Sequence, residues 1–167
     1  MRSYIALASM LSRIGGVVAI ALLAASILVV CHMIVLRYVL NASTIWQTEF
    51  VTYALTAATF LASPYVLMLR GHVSVDLLQE NVGARARLAL QIVCAALSML
   101  FVALLGYSAW IYFEEALSGG WTTETVWALP LWIPLLPFPV GMALLLLQYL
   151  AEVMRLVIDE PFEEAAP

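Results

Sequence analysis

The stretch IGGVVAIALLAASILVVCHMIVL, residues 14–36, contains no Asp, Glu, Lys or Arg. A helix needs about 20 mostly apolar residues to cross the hydrocarbon core of a bilayer, so this run predicts a membrane span. It is also too long for the apolar region of a secretory leader, which covers about 7–15 residues. With Arg2 and Arg13 ahead of it, it is expected to remain as an uncleaved first helix.

Three more segments follow the same logic, giving expected spans at about 14–36, 46–69, 86–113 and 135–158. The second opens on a turn holding Trp46 and Glu49, and the fourth is interrupted near its start by Pro137 and Pro139. Of 167 residues, 65% are hydrophobic and 11% charged, with a mean hydropathy of +1.02. Soluble domains carry about 25% charged residues, and so small a globule keeps most side chains near its surface. The predicted class is therefore an all-α integral membrane protein, a single membrane domain of four transmembrane helices, and not a soluble enzyme. Much of the acidic excess behind the net charge of -4 lies in the tail 159–167, at Asp159, Glu160, Glu163 and Glu164. It reads as a short solvated end. No basic run is present to hold nucleic acid.

All seven basic residues are arginine. Placing both termini in the cytoplasm puts Arg2, Arg13, Arg70, Arg85, Arg87 and Arg155 inside and leaves only Arg37 outside, as the positive-inside rule requires. The same arrangement puts Trp46, Trp110, Trp121, Trp127 and Trp132 at or beyond the outer ends of the spans, where indole rings favour the headgroup layer. Between spans two and three, Gly71 suits a helix stop. Asp76 with Gln79 forms a capping-box pattern ahead of Leu77, Leu78 and Val82, predicting a short interfacial helix closed by Gly83.

Span two carries the most informative polar pattern. Glu49, Thr52, Thr56, Thr59 and Ser63 recur at i, i+3, i+7, i+10 and i+14, so one face holds a carboxylate and four hydroxyls. Two readings stand. Hydroxyls in apolar helices bond their own preceding turn or a neighbouring helix and mark a packing seam. A polar stripe in lipid also marks a substrate or ion path. Pro64 should free a carbonyl that a hydroxyl can reach. Glu49 sits near the outer interface, where pairing with Arg37 across the short outer loop is expected. Gln91 and Gln148 read as interhelical hydrogen-bond donors.

Cys31 and Cys94 lie far apart within apolar runs, without a CxxC spacing, and read as small buried residues. A haem between His32 and His72 is disfavoured by depth: the two fall roughly 25–30 Å apart along the bilayer normal. His32 is expected to find a carbonyl or hydroxyl on a neighbouring helix. Gly15 with Ala19 and Ala21 with Ala25 suggest close helix contacts on span one. Ala95 with Met99 and Gly106 with Ala109 do so on span three. No nucleophile–base pair, phosphate loop or metal-ligand cluster is apparent, so no catalysis, cofactor or metal is expected.

In chain order these features resemble the small transmembrane subunit of tripartite ATP-independent periplasmic (TRAP) transporters. The resemblance rests on Arg37 ending span one and on Trp46 and Glu49 as W-x-x-E opening span two. It continues with Arg70-Gly71-His72-Val73-Ser74-Val75-Asp76 after span two, then Pro130, Trp132 and Pro139-Val140-Gly141 entering span four. The family's basic position departs by one, because Arg70 directly precedes Gly71. The resemblance implies an accessory scaffold in the bacterial inner membrane. It would pack against a large multispanning subunit that binds sodium and substrate, while a soluble periplasmic binding protein delivers an organic acid and engages transiently. Thr52, Thr56, Thr59, Ser63, His72, Asp76 and Gly141 would then serve structure or partner contact, as would the outer-loop acids Glu114, Glu115 and Glu124. The absence of broken helices and midplane polar groups expected of a carrier's own site agrees with this. The alternative from another class is the membrane anchor of a redox enzyme complex; a self-contained homo-oligomeric channel is a third.

Overall fold

A computed structural model describes residues 2–69 and 84–159. It is helical, with helices α1 (Arg2–Val39), α2 (Ile45–Leu69), α3 (Ala84–Ser118), the single-turn α4 (Trp132–Leu135) and α5 (Pro137–Asp159). Among the described residues, four segments are long and apolar enough to cross a membrane: Tyr4–Val39, Ile45–Leu69, Ile92–Ser118 and Trp132–Met154. The chain is a multi-pass all-α membrane protein.

The helices outrun the expected spans. α1 begins at Arg2 rather than near Ile14, and at 1.5 Å per residue it extends about 57 Å, well beyond a hydrocarbon core of about 30 Å. Apolar periodicity marks where lipid begins; backbone hydrogen bonding carries the helix past that point. α3 likewise continues to Ser118. The fourth span starts one turn early, because α4 and α5 follow each other around Pro137, with Leu136 N–H bonded to Trp132 O at 3.0 Å. The expected interfacial helix after span two, with Gly71, Asp76 and Gly83, lies outside the described residues.

α1 stops where Asn41 adopts φ 48°, a left-handed geometry that Asn tolerates. The turn is held by Ala42 N–H donating to Leu36 O at 3.1 Å. α2 then returns antiparallel to α1, and their seam is the most extensive in the molecule. α5 lies against both, antiparallel to α1. α3 packs on α5 and α4, so most of its surface, including Leu97, Phe101, Leu104 and Trp110, is exposed.

Small residues decide where helices meet. Lipid tails are as apolar as Leu, so association in a membrane rests on close van der Waals contact. A Cβ on Gly15 would stand 2.7 Å from Leu61 O, one on Gly16 would stand 2.7 Å from the Tyr65 ring, and one on Gly141 would stand 2.6 Å from Phe60 O. Around these points Ala8, Ala19, Ala54, Ala57 and Ala58 are buried. On α3 the contact to α5 is looser: a Cβ on Gly106 would stand 3.4 Å from Met142 Cβ, beside buried Ala109. Gly15, Ala19, Gly106 and Ala109 therefore sit at contacts as expected, whereas Ala21 is exposed and Ala25 only partly buried.

Candidate functional site: the α2 face and its outer loop

α2 presents opposite faces of different character. Gln47, Ala54, Ala57, Ala58 and Pro64 are buried, while Thr48, Thr52, Thr56 and Thr59 are exposed and Ser63 half-buried. The predicted stripe thus lies on the outside of the bundle. Every hydroxyl in it turns back on its own helix: Thr52 donates to Thr48 O and Thr56 to Thr52 O, both at 2.9 Å, Thr59 to Leu55 O at 2.9 Å and Ser63 to Thr59 O at 2.8 Å. This bonding lowers the cost of meeting apolar surroundings and leaves each oxygen able to accept.

Pro64 has no N–H, so Phe60 O loses its normal helical donor. The Ser63 hydroxyl does not replace it, being committed to Thr59 O. That carbonyl is instead where Gly141 makes its closest approach, and the rings of Phe60 and Phe138 stack beside it with centroids 4.3 Å apart. The Pro139-Val140-Gly141 sequence therefore works as a docking notch for α5: Pro139 is half-buried, Gly141 is buried, and the missing side chain admits the α2 backbone.

At the start of α2, Trp46 packs edge-on against Trp127 of the α3–α4 loop, centroids 6.4 Å apart. Tyr53, seven residues on, borders a cavity of about 440 Å³ with Trp121, Thr122, Thr123, Glu124, Thr125 and Leu131. Glu49 falls between them. Both of its carboxylate oxygens are shielded from solvent and have no hydrogen-bond partner. The expected Arg37–Glu49 pair is not formed: Arg37 is exposed near the end of α1, while both Glu49 carboxylate oxygens are shielded and unpartnered. Gln47, which the sequence pattern did not single out, is 1% exposed with its Oε1 unpartnered.

The α3–α4 loop is a small hairpin. Gly120 at φ 59° and Ala128 at φ 46° supply its left-handed turns. Thr123 N–H donates to Leu129 O at 2.9 Å, Leu129 N–H to the Thr123 hydroxyl oxygen at 3.0 Å, and Leu131 N–H to Trp121 O at 2.8 Å. Trp121 meets Tyr112 of α3 at 6.0 Å. Trp46, Trp121, Trp127 and Trp132 gather at this end, while Trp110 lies eight residues inside the end of α3, about 12 Å along the axis.

The remaining polar residues resolve differently from expectation. Gln148, 0% exposed, does join two helices, but by accepting from the Ser12 hydroxyl at 2.8 Å; its Nε2 has no partner. Tyr4 OH adds a bond to Leu147 O at 3.2 Å nearby. His32 is exposed and not held by a neighbouring helix, because its position falls on the face of α1 turned away from α2 and α5. Cys31 and Cys94 are exposed rather than buried; a thiol behaves as a small hydrophobe and suits a lipid-facing surface as well as a core. Arg70, Gly71, His72 and Asp76 lie outside the described residues, as does the side chain of Gln91. Among the described residues no group of three or more His, Cys, Asp or Glu is placed to hold a metal.

Residues 26–159 match the model of the family described as tripartite ATP-independent periplasmic transporters, DctQ component. The match takes in the C-terminal part of α1, from Ser26 onward, all of α2, α3, α4 and α5, and with them the Trp46–Glu49 and Pro139–Gly141 segments. No curated protein matches the chain. With the family match covering most of its length, the chain belongs to the DctQ component family of tripartite ATP-independent periplasmic transporters.

Proposed function

We propose that this chain is the accessory scaffold subunit of a sodium-coupled, binding-protein-dependent transporter that takes up organic acids across the bacterial inner membrane. In this reading it packs against a large multispanning subunit that carries the sodium and substrate sites. Both termini face the cytoplasm, and the tryptophan-rich hairpin faces the periplasm.

The observation that carries the reading is the division of labour on α2. Its inner face is closed against α1 and α5 at backbone-contact distance through Gly15 and Gly141, with Gly16 against the Tyr65 ring. Its outer face leaves Thr52, Thr56, Thr59 and Ser63 available to accept hydrogen bonds from another chain. Such a core is suited to resist deformation, as a support for a moving partner must. Trp46 and Glu49 then hold the periplasmic end of α2, exposed Arg37 is left for contact with the partner, and Arg70, Gly71, His72 and Asp76 serve the turn at the cytoplasmic end or the partner contact there. The exposed acids Glu114, Glu115 and Glu124 are suited to transient contact with the binding protein. Arginine distribution supports the orientation. The redox-anchor alternative is not favoured, since the family is one of transport components.

Proteoliposomes with an inward sodium gradient test the reading by omission. Uptake of an organic acid should require the large subunit, this chain and the binding protein together. Transport by this chain alone, or full transport without it, overturns the proposal.

A further inference from the structure

At the end of the bundle opposite the tryptophans, α1 continues from the Gly15 contact back to Arg2. Among the described residues, a groove of about 580 Å³ there is lined by Ala6, Ser9, Met10, Arg13, Met68 and Leu69, joining α1 to the last residues of α2. Arg13 is exposed and makes no ion pair with another described residue. It is the one charged residue among these six, and it directly precedes the apolar run 14–36.

We infer that this groove binds the phosphate-bearing head group of an anionic phospholipid, with Arg13 as the cation that selects it. Three observations converge. Arg13 stands at the boundary of the apolar run 14–36, where a span gives way to the head-group layer, and its planar donor fork matches a phosphate oxygen pair. The volume falls within the range of small-ligand sites and is ample for a head group with its glycerol. Met10 and Leu69 beside Arg13 are apolar and open to the surface, 56% and 64% exposed. That surface suits the first methylenes of an acyl chain and is of no use to a free phosphate ion. The ligand is therefore assigned as a lipid rather than inorganic phosphate. The inference depends on membrane insertion alone and not on the proposed partnership with a large subunit.

Native mass spectrometry of the full-length chain, released from mild detergent after equilibration with phosphatidylglycerol or phosphatidylcholine, reads the site directly. Phosphatidylglycerol should be retained in preference to phosphatidylcholine. Arg13→Gln should lower its retention about fivefold, the effect of one arginine near an anionic surface, and Arg13→Lys should keep most of it. Ala6→Trp, which fills the groove and leaves the cation in place, should also lower retention. Millimolar inorganic phosphate should not displace the lipid. Equal retention by wild type and Arg13→Gln, no effect of Ala6→Trp, or displacement by phosphate each overturns the assignment.

Discussion

Replacing Gly141 by alanine adds one methyl group at the point where α5 meets the backbone of α2. The new Cβ would lie 2.6 Å from Phe60 O, 2.8 Å from Phe60 C and 2.9 Å from Phe60 Cβ. Ordinary contact begins at 3.4 Å, so the seam must open by about 0.8 Å, and neither backbone can yield like the tip of a flexible side chain. Overpacking of this kind destabilises by about 1–3 kcal/mol, while alanine recovers up to about 1 kcal/mol of helix propensity over glycine. The net expectation is a loss of about 1–2 kcal/mol. Gly15→Ala, 2.7 Å from Leu61 O, should behave alike, whereas Gly106→Ala meets Met142 Cβ at an ordinary 3.4 Å and should be neutral or slightly stabilising. Reversible unfolding of the purified chain in mixed micelles, followed by tryptophan fluorescence, ranks the three variants. If Gly141→Ala matched Gly106→Ala in stability, the reading of these glycines as backbone-contact points would be wrong.

Ser12→Ala leaves Gln148 buried without its interhelical donor; a loss of about 0.6–2 kcal/mol is expected in the same unfolding assay. Changing Thr52, Thr56 and Thr59 together to valine removes hydroxyls that are bonded only to their own helix. Stability of the isolated chain should therefore move by less than about 1 kcal/mol, while affinity for the large subunit, measured by detergent pull-down titration, should fall. Trp127→Ala deletes the edge-on contact with Trp46, worth about 0.5–1.5 kcal/mol. Faster hydrogen exchange at Thr123, Leu129 and Leu131 amides is the expected signature.

The spans are legible in the chain because apolar runs of membrane length have few other uses, and Gly15, Ala19, Gly106 and Ala109 are legible because small residues at helical spacing admit close approach. What periodicity does not reveal is which face of a uniformly apolar helix turns inward. Cys31 and Cys94 could belong to core or lipid face with equal ease, and both prove exposed. The hydroxyl stripe is readable as a stripe, yet its position outside the bundle depends on the alanine face of α2 winning the contact with α1 and α5. Glu49 and Arg37 look complementary across a short loop, but the hairpin that meets Trp46 and Tyr53 on either side of Glu49 comes from a segment some 75 residues further along. The Ser12–Gln148 bond joins residues 136 apart. Asn41 alone carries a local signal for its role, since an asparagine after a long apolar helix suits the left-handed stop it provides.

Isolation of this chain from gently solubilised native membranes is the most direct test of its role as a supporting subunit. A tag placed on it should bring down a much larger multispanning protein in one-to-one ratio, and the pair should dissociate when the α2 hydroxyl face is replaced. Recovery of the chain as a lone monomer or as a self-assembled oligomer active in ion flux would contradict the account.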